Sequence, residues 1–435
     1  MKKSIIHIAK LSSPIMFSFF ISMLFGLVDT IYAGVIGDYA ITAISYFIPI
    51  EFIFMAVYVG AQVACNVYFS RSLGENNIAA LKEYYAAAKH LLKYLFIGVF
   101  ILALLIISTS YFLPFSDNVL TAFREYSTFR LAGMLFFMIP VILFDSVLRS
   151  HEKMKESMKI QIAGNLMNII LNSIFVFVFH WGVIGLGFAT FLSWGVTALL
   201  AYTYTRQFKD FIDILKIKKE KSELYFKKLV SLAFFTGFRD VFLSLEMFFI
   251  AFILTGISEI AVGANGIVFR YGGFAIMPLI AVFIVMNTIL GHDLGRKDYV
   301  SMKKHVAAAI IFTIVCMMFV LVPLFYFLDK EMIALVTNSK EIGDYALTVL
   351  KYIPWAFITM APFIIFHSFA QVTHNTKLLI WMPILRYVII SFPLYFLLGR
   401  YYGFSVVLVA PIIANFIASI IYFIQYKRIS RKLNT

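Results

Sequence analysis

One acidic residue stands inside a long apolar run near the start of the chain. Asp29 lies between Met23 and Gly34, in the sequence MLFGLVDTIYAG, about 22 Å along a helix that begins near Pro14. A carboxylate at this depth is unfavourable unless a proton, a metal cation or a cationic substrate neutralises it. Asp29 is therefore predicted to face a cavity and to exchange one positive companion for another, because the spans of this half offer no basic partner. The alternative is a structural carboxylate that bonds a neighbouring helix.

Two later helices each carry polar side chains along one face. Steps of four, three and four residues align one group, and steps of three and four align the other. The groups are Gln161, Asn165, Asn168 and Asn172, and then Thr190, Ser193 and Thr197. The two stripes either seal against each other through interhelical hydrogen bonds or line a cavity together with Tyr32. With Asp29 they offer the oxygen ligands that suit a hard cation such as Na⁺.

A different set of ionisable residues lies in the predicted spans of the second half. The set is Glu246, Arg270, His367 and Arg386. Glu246 is either a second cation or proton site or an inert partner of one of the arginines, and His367 either packs against a neighbour or relays protons. Glu51 and the Asp145/Arg149 pair are instead expected at a membrane face, with their charged ends reaching the headgroups.

The chain that carries these residues is far more apolar than a soluble domain. Of its 435 residues, 62% are hydrophobic and 14% are charged, and the mean hydropathy is +0.90. Twelve stretches are long enough to cross a hydrocarbon core of roughly 30 Å as helices, and they lack the alternation of a membrane barrel. The predicted spans are approximately 14–36, 46–69, 94–114, 131–148, 160–179, 184–204, 230–255, 261–289, 306–327, 352–372, 379–398 and 404–425. The predicted fold class is an all-α integral membrane protein.

The net charge of +14 has a distribution that argues against a nucleic-acid partner. Of the 37 Lys and Arg residues, 28 fall in the two tails and in the connections that follow the even-numbered spans. Six, including Arg130, are assigned to the opposite side. This asymmetry predicts that both termini lie in the cytoplasm of a multi-pass plasma-membrane protein.

The two halves of the chain repeat at an offset of 221 residues. Between residues 66–88 and 287–309, seven of 23 positions are identical without a gap. With six spans on either side of a basic connection, the repeat is predicted to be parallel rather than inverted. The expected domains are a six-helix lobe at 1–205, a basic cytoplasmic linker at 206–228 and a second six-helix lobe at 229–435.

Several motifs, in their order and spacing, resemble those of the multidrug and toxic compound extrusion (MATE) transporters of the MOP flippase superfamily. The resemblance covers essentially the whole chain. The motifs are Pro14 with Val28-Asp29-Thr30, Gly34 and Gly37; Gly60-Ala61-Gln62 leading to Leu73-Gly74-Glu75-Asn76; and Leu148-Arg149-Ser150 through Gly164-Asn165, Asn168 and Asn172 to Gly182-Val183-Ile184-Gly185.

The resemblance implies a V-shaped pair of lobes around a central cavity. It also implies export of organic, often cationic, compounds driven by re-entry of H⁺ or Na⁺. The DinF-like branch is the most similar, and its cation site matches Asp29, Asn168 and Thr190 here. Asn172 stands where that branch has a second aspartate, which leaves one carboxylate in the predicted site.

The resulting hypothesis is an antiporter in which Asp29 alternates between the inward-moving cation and substrate release. Small organic cations and the lipid bilayer are the expected partners, a monomer is expected, and no cofactor or metal beyond a coupling Na⁺ is predicted. One alternative is a flippase for a lipid-linked sugar, which Arg270 and Arg386 would suit. A less favoured one is an integral-membrane enzyme, for which the sequence has neither an HExxH motif nor a glycine-rich phosphate loop.

Overall fold

The computed structural model describes residues 1–112, 116–208, 223–255, 259–334 and 340–432, and within these ranges the chain is helical without a β-strand. Most of the predicted basic linker therefore lies outside the described residues. Eleven helical segments of the described part are long and apolar enough to cross a membrane. The all-helical membrane fold predicted from composition is confirmed.

The first half forms seven long helical elements. They are α1 (Lys2–Ile36), α2 (Asp38–Gly74), α3 (Ile78–Thr109), α4 (Asp117–Gly133), α5 (Ile139–Ser150), α6 (Met154–Ser173) and α7 (Gly182–Thr205). A π-helical turn, Met134–Met138, joins α4 to α5 as one 34-residue candidate span. A second π-helical turn, Ile174–Val178, extends α6. Such turns insert an extra residue into the helix and change the direction of the side chains that follow.

The second half follows the same order with more interruptions. Its helices are α8 (Glu223–Thr255), α9 (Glu259–Ala275), α10 (Met277–Gly295), α11 (Tyr299–Phe327), α12 (Asp329–Ala334), α13 (Lys340–Leu350), α14 (Ile353–Val372), α15 (Thr376–Pro383), α16 (Phe392–Tyr402) and α17 (Val406–Lys432). The eighth predicted span, 261–289, is divided between α9 and α10. A π-helical segment, Ile384–Ser391, joins α15 to α16 and carries Arg386.

The 221-residue repeat is visible in the helix caps. The side chain of Asn77 accepts a hydrogen bond of 2.9 Å from the backbone N–H of Ala80 at the start of α3. At the equivalent place, Asp298 accepts one of 2.9 Å from the backbone N–H of Ser301 at the start of α11. These bonds satisfy backbone donors that the first helical turn leaves free. In Asp298 the bond from Ser301 also holds the carboxyl pKa below its ordinary value.

Left-handed backbone positions repeat with the same offset. Gly182 has φ +58° and Gly403 has φ +52°, each just before or at the start of a helix. Asn76 and Lys297 form a second equivalent pair, with φ of 51° and 58°. Because few residues other than glycine adopt this conformation readily, its recurrence at two equivalent pairs supports the predicted parallel duplication.

The chain packs as two units whose boundaries differ from the predicted lobes. The first unit is Phe17–Phe234, and the second unit joins Met1–Met16 to Phe235–Thr435. The start of α1 therefore packs with the second half, where the rings of His7 and His305 lie 6.4 Å apart. The start of α8 packs with the first half, where the rings of Tyr225 and Tyr84 lie 4.7 Å apart. Sequence position alone does not reveal this exchange, since both helices continue through the point where the unit changes.

Close helix packing in the first unit depends on Gly133, at the end of α4. A Cβ atom added there would lie 2.6 Å from ring atom Cε3 of Trp194 on α7. We expect Gly133→Ala to lower the free energy of unfolding by about 1–3 kcal/mol, because the indole must shift within a packed interface. Thermal unfolding of the purified protein in mild detergent measures the change.

Gly98→Ala, in the middle of α3, is the matched control. No atom lies within 4 Å of a Cβ built at Gly98, so this variant should be neutral or more stable by up to about 1 kcal/mol from helix propensity. Equal melting temperatures for the two variants would contradict the packing argument.

Candidate functional site

Asp29 lies on α1 of the first unit and is half-buried. Its carboxylate atom Oδ1 accepts a hydrogen bond of 2.7 Å from the amide Nδ2 of Asn172 on α6. Among the described residues, no Lys, Arg or His reaches Asp29 within ion-pair distance. An amide donor satisfies part of the hydrogen-bonding capacity of the carboxylate but does not cancel its charge.

The hydrogen bond to Asp29 continues as a chain across two further helices. Asn172 Nδ2 also donates to Asn168 Oδ1 over 3.1 Å, and Asn168 Nδ2 donates to Thr190 Oγ1 on α7 over 3.2 Å. The Thr190 hydroxyl in turn donates to the backbone oxygen of Leu186. The structure therefore brings together all four residues that the sequence predicts as the cation or proton site.

One hydrogen-bond acceptor in this series of bonds has no partner among the described residues. Asn172 is 1% exposed, and its buried Oδ1 atom makes no hydrogen bond. Buried carbonyl oxygens are rarely left without a donor or a cation. Asp29, Asn168, Asn172 and Thr190 thus present carboxylate, amide and hydroxyl oxygens to one region, with capacity to receive a positive ligand. We call these four residues the Asp29 cluster.

The predicted lining residues take separate places around the cluster. Asn165 Nδ2 donates to the hydroxyl of Ser22 over 2.8 Å, and the hydroxyls of Tyr32 and Ser173 lie 2.6 Å apart. Ser193 donates to the backbone oxygen of Thr190. These bonds tie α1 to α6 and fix α7 locally. Within the described ranges no hydrogen bond joins Gln161 to the cluster.

Arg130 and Glu51 form an ion pair between two helices, which the sequence does not predict. The sequence assigns Arg130 to an outer connection and Glu51 to a membrane face, but α4 begins at Asp117, so Arg130 lies about 20 Å along a helix. Its guanidinium forms an ion pair with Glu51 of α2. This pair lies within electrostatic range of Asp29. The expectation that the spans of this half contain no basic residue is therefore wrong, although Arg130 pairs with Glu51 and not with Asp29.

Aromatic rings complete the surroundings of the Arg130 guanidinium. Its central carbon lies 4.7 Å from the ring centre of Trp194 and 5.6 Å from that of Tyr126. Cations are attracted to the faces of such rings. Because Glu51 holds Arg130, the arginine moderates the field at Asp29 without forming a direct bond to it. The sequence signal for this group is the helical spacing of apolar residues at Leu120, Phe123 and Leu131 in an otherwise polar stretch, and all three are buried.

The Asp145/Arg149 pair is also placed differently from the prediction. Asp145 is 3% exposed and Arg149 is 9% exposed, and their charged atoms lie 2.6 Å apart. Gln62 Nε2 donates to Asp145 over 2.8 Å, and the Ser157 hydroxyl donates over 2.5 Å. These side chains are enclosed by protein, where they join α2, α5 and α6 through a buried network.

In the second unit, Glu246 is paired with Arg386. The guanidinium donates to the Glu246 carboxylate and, over 2.7 Å, to Asn415 Oδ1. The Tyr395 hydroxyl donates to the other carboxylate oxygen over 3.3 Å, and the Arg386 guanidinium lies 4.1 Å from the ring centre of Tyr387. Of the two predicted alternatives for Glu246, this geometry favours the ion pair.

The other two predicted residues of that half are Arg270 and His367. The side chain of Arg270 lies outside the described residues. His367 is fully buried, and its Nδ1 atom lies 3.2 Å from the Tyr422 hydroxyl. Among the described side chains, His367 thus makes no hydrogen bond to Glu246 or Arg386.

Comparison with known proteins places the chain among transporters. The MatE family profile matches residues 14–174 and 236–397. The multidrug export protein MepA of Staphylococcus aureus strain bovine RF122 / ET3-1 is 24% identical over 428 residues, which covers 93% of this chain and 89% of the relative. MepA of Staphylococcus saprophyticus is 22% identical over 416 residues and covers 94% and 90%.

Solved structures share the fold. A MOP superfamily transporter from Pyrococcus furiosus superposes with a TM-score of 0.91 at 20% identity, over 98% of this chain and 96% of the other. The Vibrio cholerae MATE transporter VcmN in its bent form gives 0.90 at 19% identity, over 100% and 98%. The profile spans both halves and includes Asp29, Asn168 and Asn172. The chain therefore belongs to the MatE family of membrane transporters.

Proposed function

We propose that this transporter is an antiporter that exports organic cations in exchange for H⁺ or Na⁺. The full-length relatives are named multidrug export proteins, which supports small organic substrates. The observation that carries the proposal is the Asp29 cluster, where a carboxylate without an ion-pair partner among the described residues lies beside a buried amide oxygen without a donor.

The proposed exchange follows from competition for one charge. Asn172 donates to Oδ1 of Asp29, so the other carboxylate oxygen is available to take a proton or to contact Na⁺. The amide oxygens of Asn168 and Asn172 and the hydroxyl of Thr190 then supply neutral ligands to Na⁺. Once this cation is bound, the carboxylate no longer attracts a cationic substrate, which gives the negative coupling that an antiporter needs.

The Glu51–Arg130 pair supports the same proposal. If Arg130 were unpaired, it would neutralise Asp29 permanently and repel organic cations. Because Glu51 holds the guanidinium, the three ionised side chains together carry one net negative charge. The rings of Trp194 and Tyr126 beside them suit flat cationic compounds.

We further propose that the protein is a monomer of the plasma membrane with both termini in the cytoplasm. The excess of Lys and Arg in the tails and even-numbered connections supports the orientation of the termini. A flippase that binds a pyrophosphate has less support, since Arg386 is already engaged by Glu246 and Asn415.

Replacing Asp29 by Asn should abolish ion-driven transport. Asn keeps an oxygen that accepts the bond from Asn172, so the helix contacts should persist while the exchangeable charge is lost. The measurement is efflux of a fluorescent organic cation from proteoliposomes under an imposed pH gradient and then a sodium gradient. Gradient-driven flux is expected to fall to the level of empty liposomes.

Asp298→Asn is the matched control, because Asn also caps helices well and Asp298 lies outside the candidate spans. It should transport like the unmodified protein. Undiminished gradient-driven flux by a well-folded Asp29→Asn protein would remove the proposed mechanism.

Replacing Asn172 by Asp should increase the apparent affinity for Na⁺ on the order of tenfold, because a second carboxylate adds charge to an oxygen site for a hard cation. The measurement is the sodium concentration that gives half-maximal efflux at constant pH. Asn165→Asp, nearly two turns away on the same helix and bonded to Ser22, is the control and should leave this concentration unchanged. The same sodium dependence in both variants would argue against Na⁺ binding at the Asp29 cluster.

We also infer that the Glu246–Arg386 pair stabilises the second unit and is not a coupling site. Glu246→Gln or Arg386→Gln should each lower the free energy of unfolding by about 3–5 kcal/mol, because each leaves an uncompensated buried charge. The double variant should lose less than the sum of the two, as a double-mutant cycle of thermal unfolding would show. Additive losses, or a Glu246→Gln protein of normal stability that has lost ion dependence, would instead point to a cation site at Glu246.

A further inference from the structure

A lipid-facing groove lies between α3 and the α4–α5 segment of the first unit. Its volume is about 500 Å³. Its apolar lining consists of Leu92, Phe96, Ile97, Leu135, Phe136 and Leu143, together with neighbouring Ile139, Pro140 and Phe144. Two basic residues, Lys89 and Lys93, complete it.

The local backbone explains why a groove forms here. The π-helical turn Met134–Met138 and the following Pro140 interrupt the regular surface of the α4–α5 segment. On the other side, α3 is the least enclosed of the candidate spans, with 22% of its most apolar window buried. Ile97 is 45% exposed and Phe136 is 57% exposed. In a membrane, such apolar surface is covered by acyl chains.

The two lysines lie at one end of the apolar lining. Lys89 and Lys93 are one helical turn apart, so both project from the same face of α3. The apolar lining residues of α3, which reach Ile97, continue from them toward the C-terminal end of the helix. In the proposed orientation, the start of α3 at Ile78 is on the cytoplasmic side. The lysines therefore lie where the headgroups of the cytoplasmic leaflet begin.

No acidic side chain among the described residues pairs with the two lysines of this site. Lys89 and Lys93 are exposed, and within the described ranges neither forms an ion pair. By contrast, Lys227 lies 3.0 Å from Glu223, and Arg71 lies 2.9 Å from Glu75. Two ammonium groups four residues apart repel each other and favour an anion between them.

The internal repeat shows that the helical scaffold does not require these charges. At the offset of 221 residues, Lys89 corresponds to Ile310 and Lys93 to Ile314, on the equivalent helix α11. The same helix position is therefore apolar in one half and basic in the other. Within the described residues, the groove of the first half therefore has a pair of positive charges for a headgroup where the equivalent helix of the second half is apolar.

We propose that this groove binds one anionic phospholipid of the cytoplasmic leaflet. The phosphate would lie between Lys89 and Lys93, and one acyl chain would follow the apolar lining toward Ile97 and Phe136. Basic pockets between membrane helices on the cytoplasmic side bind anionic headgroups by this combination of charge and apolar contact. The site is distinct from the Asp29 cluster and depends on the proposed orientation, but not on the proposed antiport.

Native mass spectrometry of the full chain in mild detergent tests the proposal, with dioleoylphosphatidylglycerol and dioleoylphosphatidylcholine as the probes. The unmodified protein is expected to retain one phosphatidylglycerol in preference to phosphatidylcholine. The double variant Lys89→Gln, Lys93→Gln should lose affinity for phosphatidylglycerol on the order of tenfold and lose the preference.

The matched control is Lys303→Gln with Lys304→Gln, which removes the same charge near the start of α11 and should leave lipid binding unchanged. Ile97→Trp adds bulk to the exposed lining while both lysines remain, so it should weaken binding of phosphatidylglycerol without unfolding the protein. The proposal is overturned if the double lysine variant binds phosphatidylglycerol like the unmodified protein, if both lysine pairs have equal effects, or if inorganic phosphate displaces the lipid as well as phosphatidylglycerol does.

Discussion

A charge inside a membrane helix needs a partner, and this constraint organises the polar interior of the protein. Three carboxylates on these helices meet it with an arginine. The buried Asp145 and Glu246 pair with Arg149 and Arg386, and the partly buried Glu51 pairs with Arg130. Such pairs hold helices in register because separating either partner leaves an unpaired charge in a medium of low polarity. Asp29 meets the constraint only in part, since its bond is to the amide of Asn172. The charge that remains is what a transported cation can use.

The duplicated scaffold and the chemistry that it carries are separate properties. Equivalent caps at Asn77 and Asp298, and equivalent left-handed glycines at 182 and 403, repeat through both halves. These features satisfy backbone requirements that are the same in each copy. The side chains of the candidate sites do not repeat, since Asp29 corresponds to Ile250 and Asn165 on α6 corresponds to Arg386 in the other half. The first unit therefore presents amide oxygens and the Asp29 carboxylate, whereas in the second unit Arg386 neutralises the carboxylate of Glu246.

Much of the candidate site could be predicted because its members follow helical spacing within single segments. Asn168 and Asn172 are four residues apart, so a helix of any orientation places them together, and a bond of 3.1 Å joins them. The position of Arg130 cannot be predicted in this way, because its partner lies on another helix and its own helix does not look like a membrane span. The residues from Asp117 onward are polar enough to predict a connection, yet they form α4 because its apolar face packs against α2 and α7. Tertiary packing here overrides local composition.

The sequence by itself determined that this protein lies in a lipid bilayer, that it is helical and duplicated, and that its first span carries a carboxylate. These follow from composition and from periods of a few residues, which act on each segment independently of the rest. Only the tertiary structure decided which charges are cancelled, because ion pairs such as Glu51–Arg130 and Glu246–Arg386 join residues 79 and 140 positions apart. It also decided that α1 and α8 each begin in the unit of the other half. Contacts over such separations depend on how whole helices pack, and no local pattern encodes them.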